Sequence, residues 1–310
     1  MSSFERLQHS RIGTLALIGA GGQAKVYRAP EVVLADESRP LVYKEYKNKR
    51  ISITGLDNAI AFRLRLSDHE RMILDRIANW PLRVVEGAGG RAEGVILPLL
   101  EPEYFHEILM PKGKVLRAPR DGQYLAQPKE RCDRYGVSLA GTGDRYRFCR
   151  DLAFAMGFLH KREICLGDIS FSNAVYSLEH DPCAYLVDCD AARRTGTAPV
   201  VPQLHTPDWD PPEGTRVQTR ATDRYKIGLF ILRALSPRAV SGQNRDPAWA
   251  DPLLGPRGRV LLRKALSRDP AERPEVKDWY VHFREVLRTQ RLRTTPSQSR
   301  MPPRAAVPGA

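Results

Sequence analysis

Apolar and polar residues alternate through "GTLALIGAGGQAKVYRA" and again through "PLVYKEY". Residues 12–46 therefore predict β-strands around a glycine cluster, with one lysine, Lys44, on a core-facing position of the last strand. From about Asp57 to Ile77 the spacing turns helical, with Leu64, Ile73, Leu74 and Ile77 set among charges, and Pro81 stops it. "RVVEGAGGRAEGVILPLL" predicts two strands joined by a Gly-rich turn. After Glu101 strands give way to helices over "DRYRFCRDLAFAMGFLHKR", "DRYKIGLFILRAL", "RVLLRKALS" and "EVKDWYVHFREVLR". Residues 111–142 are polar, with Pro and Gly, and show no clear period. The end, "TPSQSRMPPRAAVPGA", is Pro-rich and polar and is expected to be disordered.

That layout predicts an α+β protein: a β-rich lobe over 11–100, a larger helical lobe over 101–290, a basic Pro-rich tail over 291–310, and a cleft between the lobes. At 310 residues the chain can bury a substantial core. Apolar runs such as "GVILPLL" are too short for a bilayer, and "MSSFERLQHS" lacks a signal-type apolar segment, so no membrane partner is expected. Five cysteines without metal-type pairing fit a reducing cytoplasm. The net charge of +13 raises a nucleic-acid reading. The basic excess is arginine spread along the chain, without zinc-finger or helix-turn-helix pattern, so a solvated surface is expected and nucleic acid is not.

The glycine cluster adds chemistry. Gly19 and Gly21, on a hairpin between strands, let backbone N–H groups approach a phosphate. A Gly-rich hairpin alone means little, but strand rather than helix follows it, which argues against a dinucleotide fold. A core-facing lysine needs a counter-charge, and a phosphate plus a helix carboxylate would supply one. Glu70 is the first candidate, ahead of Asp68 and Glu45. Asp168 sits in a loop after a helix, as a general base requires. Asn173, five residues on, and Asp188, twenty beyond Asp168, offer oxygens to Mg²⁺.

Here the chain resembles the protein kinases, whose catalytic loop is D-x-x-x-x-N and whose metal-binding Asp follows later. The resemblance runs from about Ile12 to Leu287. It implies an ATP-dependent protein-serine/threonine kinase that uses Mg²⁺ or Mn²⁺ and phosphorylates a protein hydroxyl, with autophosphorylation as one route. Gly19, Gly21, Gly22 and Val26 fit the glycine loop, with Ala24 replacing its third glycine. Lys44 fits the phosphate-binding lysine and Glu70 its partner, Asp168 the base, and Asn173 and Asp188 the metal ligands. Pro98 and Leu100, after the gatekeeper-like Leu97, fit the adenine contacts. Thr206 lies seven residues before Glu213 in "TPDWDPPE", which fits the end of an activation segment. Asp223 starts the buried helix after it, and Arg273 fits the arginine that pairs with Glu213. Aminoglycoside-type phosphotransferases share the G-D-x-x-x-x-N loop but lack the Pro-Pro-Glu segment. The motifs look most like a bacterial kinase-like group often fused to helix-hairpin-helix domains.

Several positions depart from the pattern. Gly167 replaces the arginine that receives an activating phosphate, and Ser170 a lysine beside the transferred group. Asp190 replaces a glycine, either as a further metal contact or as a solvated turn residue. Leu166 and Cys189 replace an imidazole and a phenyl ring while staying apolar. A nucleotide-binding pseudokinase is the alternative these losses leave open.

Overall fold

The computed structural model describes residues 5–48, 51–179, 181–197, 206–214, 218–236 and 243–294. The expected disordered tail lies largely outside them, from residue 295 on. The architecture is α+β. A six-stranded mixed sheet comprises β1 (Leu7–Gln8), β2 (Ala16–Ala20), β3 (Ala24–Arg28), β4 (Leu41–Tyr46), β5 (Arg83–Glu86) and β6 (Ala92–Pro98), in the order β1-β5-β6-β4-β3-β2. Only β1 pairs in parallel. Period two decides what β4 presents. Val42 and Tyr46 join Leu56, Ile60 and Val95 in one apolar cluster, whereas Leu41 and Tyr43 join Ile12, Ala29 and Ile96 in another. Lys44 shares the face of Val42 and Tyr46 and is likewise buried.

The helix expected over Asp57–Ile77 is two helices, α1 (Ile53–Leu64) and α2 (Asp68–Ile77). The break comes from Ser67, which caps α2: its hydroxyl accepts from the Glu70 N–H, and the Glu70 carboxylate accepts from the Ser67 N–H. This is the reciprocal S-x-x-E device that starts helices. Buried Arg63 ties the two helices together through Asp75, at 2.8 and 3.0 Å.

After Glu101 the chain does not turn helical at once. A hairpin of β7 (Phe105–Leu109) and β8 (Val115–Pro119) intervenes, turning at Lys112 and Gly113, both at positive φ. The short α3 (Lys129–Arg134) closes over it, with Ile108, Cys132 and Val137 buried together. The helices expected further on are present. They are α4 (Thr142–His160), α5 (Arg220–Ala234), α6 (Pro256–Ala265) and α7 (Val276–Thr294). Phe148, Leu152, Met156 and Leu159 line one stripe of α4, and α5 is buried along nearly its whole length, so these helices share one large core. Two short ribbon pairs complete the framework between α4 and α5: β9 (Ile164–Cys165) with β12 (Arg193–Arg194), and β10 (Ala174–Tyr176) with β11 (Ala184–Leu186). Among the described residues no helix is long and apolar enough to cross a membrane.

Candidate functional site

A cavity of about 590 Å³ opens between the β2–β3 turn and the loops flanking β10 and β11, and its lining includes Gly21, Lys44, Asp168, Asn173, Asp188 and Thr206. Residues singled out in the sequence thus converge on one space from well-separated stretches of chain.

The loop carrying Asp168 is held from below by α5. Asp223, fully buried, accepts hydrogen bonds from the N–H groups of Leu166 and Gly167, both at 3.0 Å, and contacts His160 Nε2 at 3.0 Å. Lys226, one turn along α5, donates to the Gly167 carbonyl at 2.8 Å. A buried carboxylate with three such partners is satisfied and therefore rigid. Gly167 sits at φ +82°, and a Cβ there would lie 1.6 Å from Gln218 Oε1. The left-handed backbone favours glycine at that position, and Gln218 already fills the space a side chain would need.

Asp168 is then oriented through both oxygens. Thr206 Oγ1 donates to Oδ1 at 3.2 Å and Asn173 Nδ2 to Oδ2 at 3.0 Å, with a second bond from Nδ2 to the Asp168 carbonyl at 2.6 Å. Those bonds use the amide nitrogen of Asn173 and leave its oxygen for a cation. Asp188 takes a left-handed conformation, φ +55°, and its carboxylate is more than half exposed. Among the described residues no group of three or more His, Cys, Asp or Glu forms a closed metal cage. An amide oxygen and one exposed carboxylate beside a cavity suit Mg²⁺, which keeps waters and shares its coordination with phosphate.

Lys44 meets this loop from the sheet. Its Nζ lies 3.0 Å from Asp188 Oδ1 and 2.9 and 3.0 Å from the two oxygens of Asp190. Burial pushes the ammonium down, but Asp190 and Asp188 outweigh it and hold Lys44 above its ordinary value. Burial likewise pushes Asp190 up, and the nearby Lys44 charge with hydrogen bonds from Lys44 and Tyr46 brings it below the usual carboxylate range. Asp190 is 7% exposed, so it is not a solvated turn residue; it lines the same cavity as Asp188 with its carboxylate turned onto Lys44.

Several sequence expectations need correction. Glu70 does not partner Lys44. As the third residue of α2 it is committed to Arg162, 2.5 Å away, and to Ser67, and those bonds bring its carboxyl down to about 2. Asp68 and Glu45 do not partner it either: Asp68 is exposed beside Arg71, and Glu45 points to the opposite face of β4, where Tyr27 donates to it at 3.1 Å. Gly19 is paired with Val26 inside the β2–β3 ladder, whereas Gly21 and Gly22 reach the cavity with Val26. Pro98 and Leu100 stay outside its lining. Pro98 is the last residue of β6, and Leu100 lines a separate cavity of about 220 Å³ with Tyr104 and Tyr185. Ser170 is fully buried, and Ser172 lines the cavity instead.

The more distant pair is in place. Arg273 grips Glu213 with two bonds, 2.6 and 2.7 Å, and stacks over Tyr225. Leu74, Leu166 and Cys189 are buried in the same large core. Sequence reasoning misses Tyr46, whose hydroxyl donates to Asp190 Oδ2; its spacing of two from Lys44 on a strand is the available signal. Compared with models of known protein families, the chain matches none.

Proposed function

We propose that this chain is an ATP-dependent protein-serine/threonine kinase of bilobal, kinase-like fold, with residues 11–100 and 101–290 as its lobes. The observation that carries this reading is the clamp on Asp168: both carboxylate oxygens are fixed by Thr206 and Asn173 in a cavity that Lys44 and Asp188 also line. A carboxylate so oriented suits a general base, and a lysine flanked by an exposed aspartate suits phosphate and metal.

In this reading an acceptor Ser or Thr hydroxyl approaches Asp168 beside Thr206. Its oxygen bonds to the γ-phosphorus of ATP as the bond to the ADP oxygen breaks, and its proton passes to Asp168. Asn173 and Asp188 would hold Mg²⁺ (or Mn²⁺), which neutralises charge on the phosphate oxygens. Lys44 adds a fixed positive charge, and the turn at Gly21 and Gly22, where added Cβ atoms would meet nothing, leaves room for phosphate oxygens, although the Gly21 N–H itself donates to the Ala24 carbonyl at 2.9 Å. The acceptor is a protein hydroxyl, on another chain or on this one.

Binding of ATP with Mg²⁺ to the native state alone raises thermal stability with ligand concentration, by about 2.7 kcal/mol at a hundred times Kd. A melting temperature that does not move at saturating ATP and Mg²⁺ rejects the reading. A rise in melting temperature without phosphoryl transfer to any acceptor identifies a pseudokinase.

A further inference from the structure

Lys44 has two carboxylates within reach, and they differ in kind. Both line the cavity, but Asp188 has its side chain more than half exposed there, whereas that of Asp190 is 9% exposed and packed against Lys44 and Tyr46 of β4. The single helical turn Cys189–Ala191 that follows the left-handed Asp188 carries Asp190 inward. There it meets the one face of β4 on which Lys44 and Tyr46 stand two residues apart. Asp190 uses both oxygens on Lys44 and receives the Tyr46 hydroxyl as well.

A dication at Asn173 and Asp188 would draw the Asp188 carboxylate into its own coordination. Lys44 would then retain one counter-charge, buried and already hydrogen-bonded by a fixed tyrosine. Glu70 is not available for that task, because the capping box and Arg162 hold it at the first turn of α2. Resting on the nucleotide-binding reading above, we propose that Asp190, seated by Tyr46, is the positioning residue for Lys44, and that Glu70 plays no part in nucleotide binding in this chain.

The test is calorimetric titration of ADP with Mg²⁺ into the full chain and three variants. Asp190→Asn weakens binding by about tenfold or more, Tyr46→Phe weakens it less, and Glu70→Gln leaves Kd within about twofold. Unchanged or tighter binding in Asp190→Asn overturns the proposal, as does a tenfold loss in Glu70→Gln. If Asp190→Asn does not fold, Tyr46→Phe and Glu70→Gln decide by the same criteria. A second readout needs no nucleotide: acylation of Lys44 by an N-hydroxysuccinimide ester at fixed pH, followed by peptide mass. Asp190→Asn speeds Lys44 labelling relative to other lysines and Glu70→Gln does not; the reverse pattern rejects the anchor. If the wild type binds no ADP with Mg²⁺, the kinase reading falls, while the labelling still decides which carboxylate holds Lys44.

Discussion

Replacing Arg273 by alanine removes four hydrogen bonds at once: two to Glu213, one to the Ala221 carbonyl at 2.9 Å and one to the Ser267 carbonyl at 3.1 Å. It also removes a cation stacked on Tyr225. The arginine side chain is fully buried, whereas Glu213 keeps 28% of its surface in water. The orphaned carboxylate is therefore partly rehydrated, but the two carbonyls are not. Breaking a buried pair from one side costs about 3–5 kcal/mol, and partial hydration of Glu213 places this case toward the lower end. For a chain of this size each kcal/mol moves Tm by about 2 °C, so Arg273→Ala lowers it by about 6–8 °C. Glu213→Ala is milder, because the arginine left behind retains its two carbonyl partners. Calorimetry or denaturant titration of both variants checks the ranking. A shift below about 2 °C in Arg273→Ala, or a larger effect at Glu213, refutes the assignment of this pair as a buried tie between the Glu213 segment and the C-terminal helices.

Three further outcomes follow from the same geometry. Gly94→Ala places a Cβ 2.2 Å from the Lys44 carbonyl and 2.5 Å from the Tyr43 ring, so β4 and β6 must separate, and the denaturation midpoint falls by the equivalent of about 1–3 kcal/mol or more. Burial first, and Arg120 second, lower the His106 imidazole from 6.5 to about 4; the unfolded chain then binds more protons between those values, and stability is lost as pH falls through that window. His106→Phe, which keeps a ring against Tyr124, flattens the pH dependence of Tm there. The Thr195 and Thr197 hydroxyls are bonded to the Glu163 and Arg194 carbonyls and no arginine stands at Gly167, so alanine at either leaves basal transfer within about twofold, whereas Thr206→Ala lowers kcat by about tenfold or more; a collapse at Thr195 or Thr197 restored by a phosphomimetic contradicts this.

Strand and helix periods place most elements from the sequence, and the inward face of Lys44 follows from alternation alone. The hairpin β7–β8 does not, because its five-residue strands lack a clean alternation and its signal is confined to the Pro-Lys-Gly turn. Glu70 misleads for a different reason. Glutamates at a core-facing helix position and at the third position of a cap look alike in a charge-rich stretch, and only Ser67 three residues earlier distinguishes them. Asp190 cannot be placed from sequence at all: its burial depends on Lys44, 146 residues away, and a turn residue next to an exposed aspartate gives no local sign of it. The strand that ends at Pro98 is legible, but the cavity that Leu100 lines, two residues on, depends on how it packs against Tyr104 and Tyr185.

The central claim is that Asp168 takes the proton from an acceptor hydroxyl while Lys44, Asn173 and Asp188 hold nucleotide and metal. Incubation of the pure chain with γ-labelled ATP and Mg²⁺ or Mn²⁺, alone and with generic Ser/Thr acceptors, tests it most directly when the wild type is compared with Asp168→Asn at matched nucleotide saturation. The predicted result is label on a Ser or Thr hydroxyl in the wild type and essentially none in Asp168→Asn, with ATP affinity nearly unchanged. Equal transfer by Asp168→Asn, with the same acceptor residue labelled, would contradict the account.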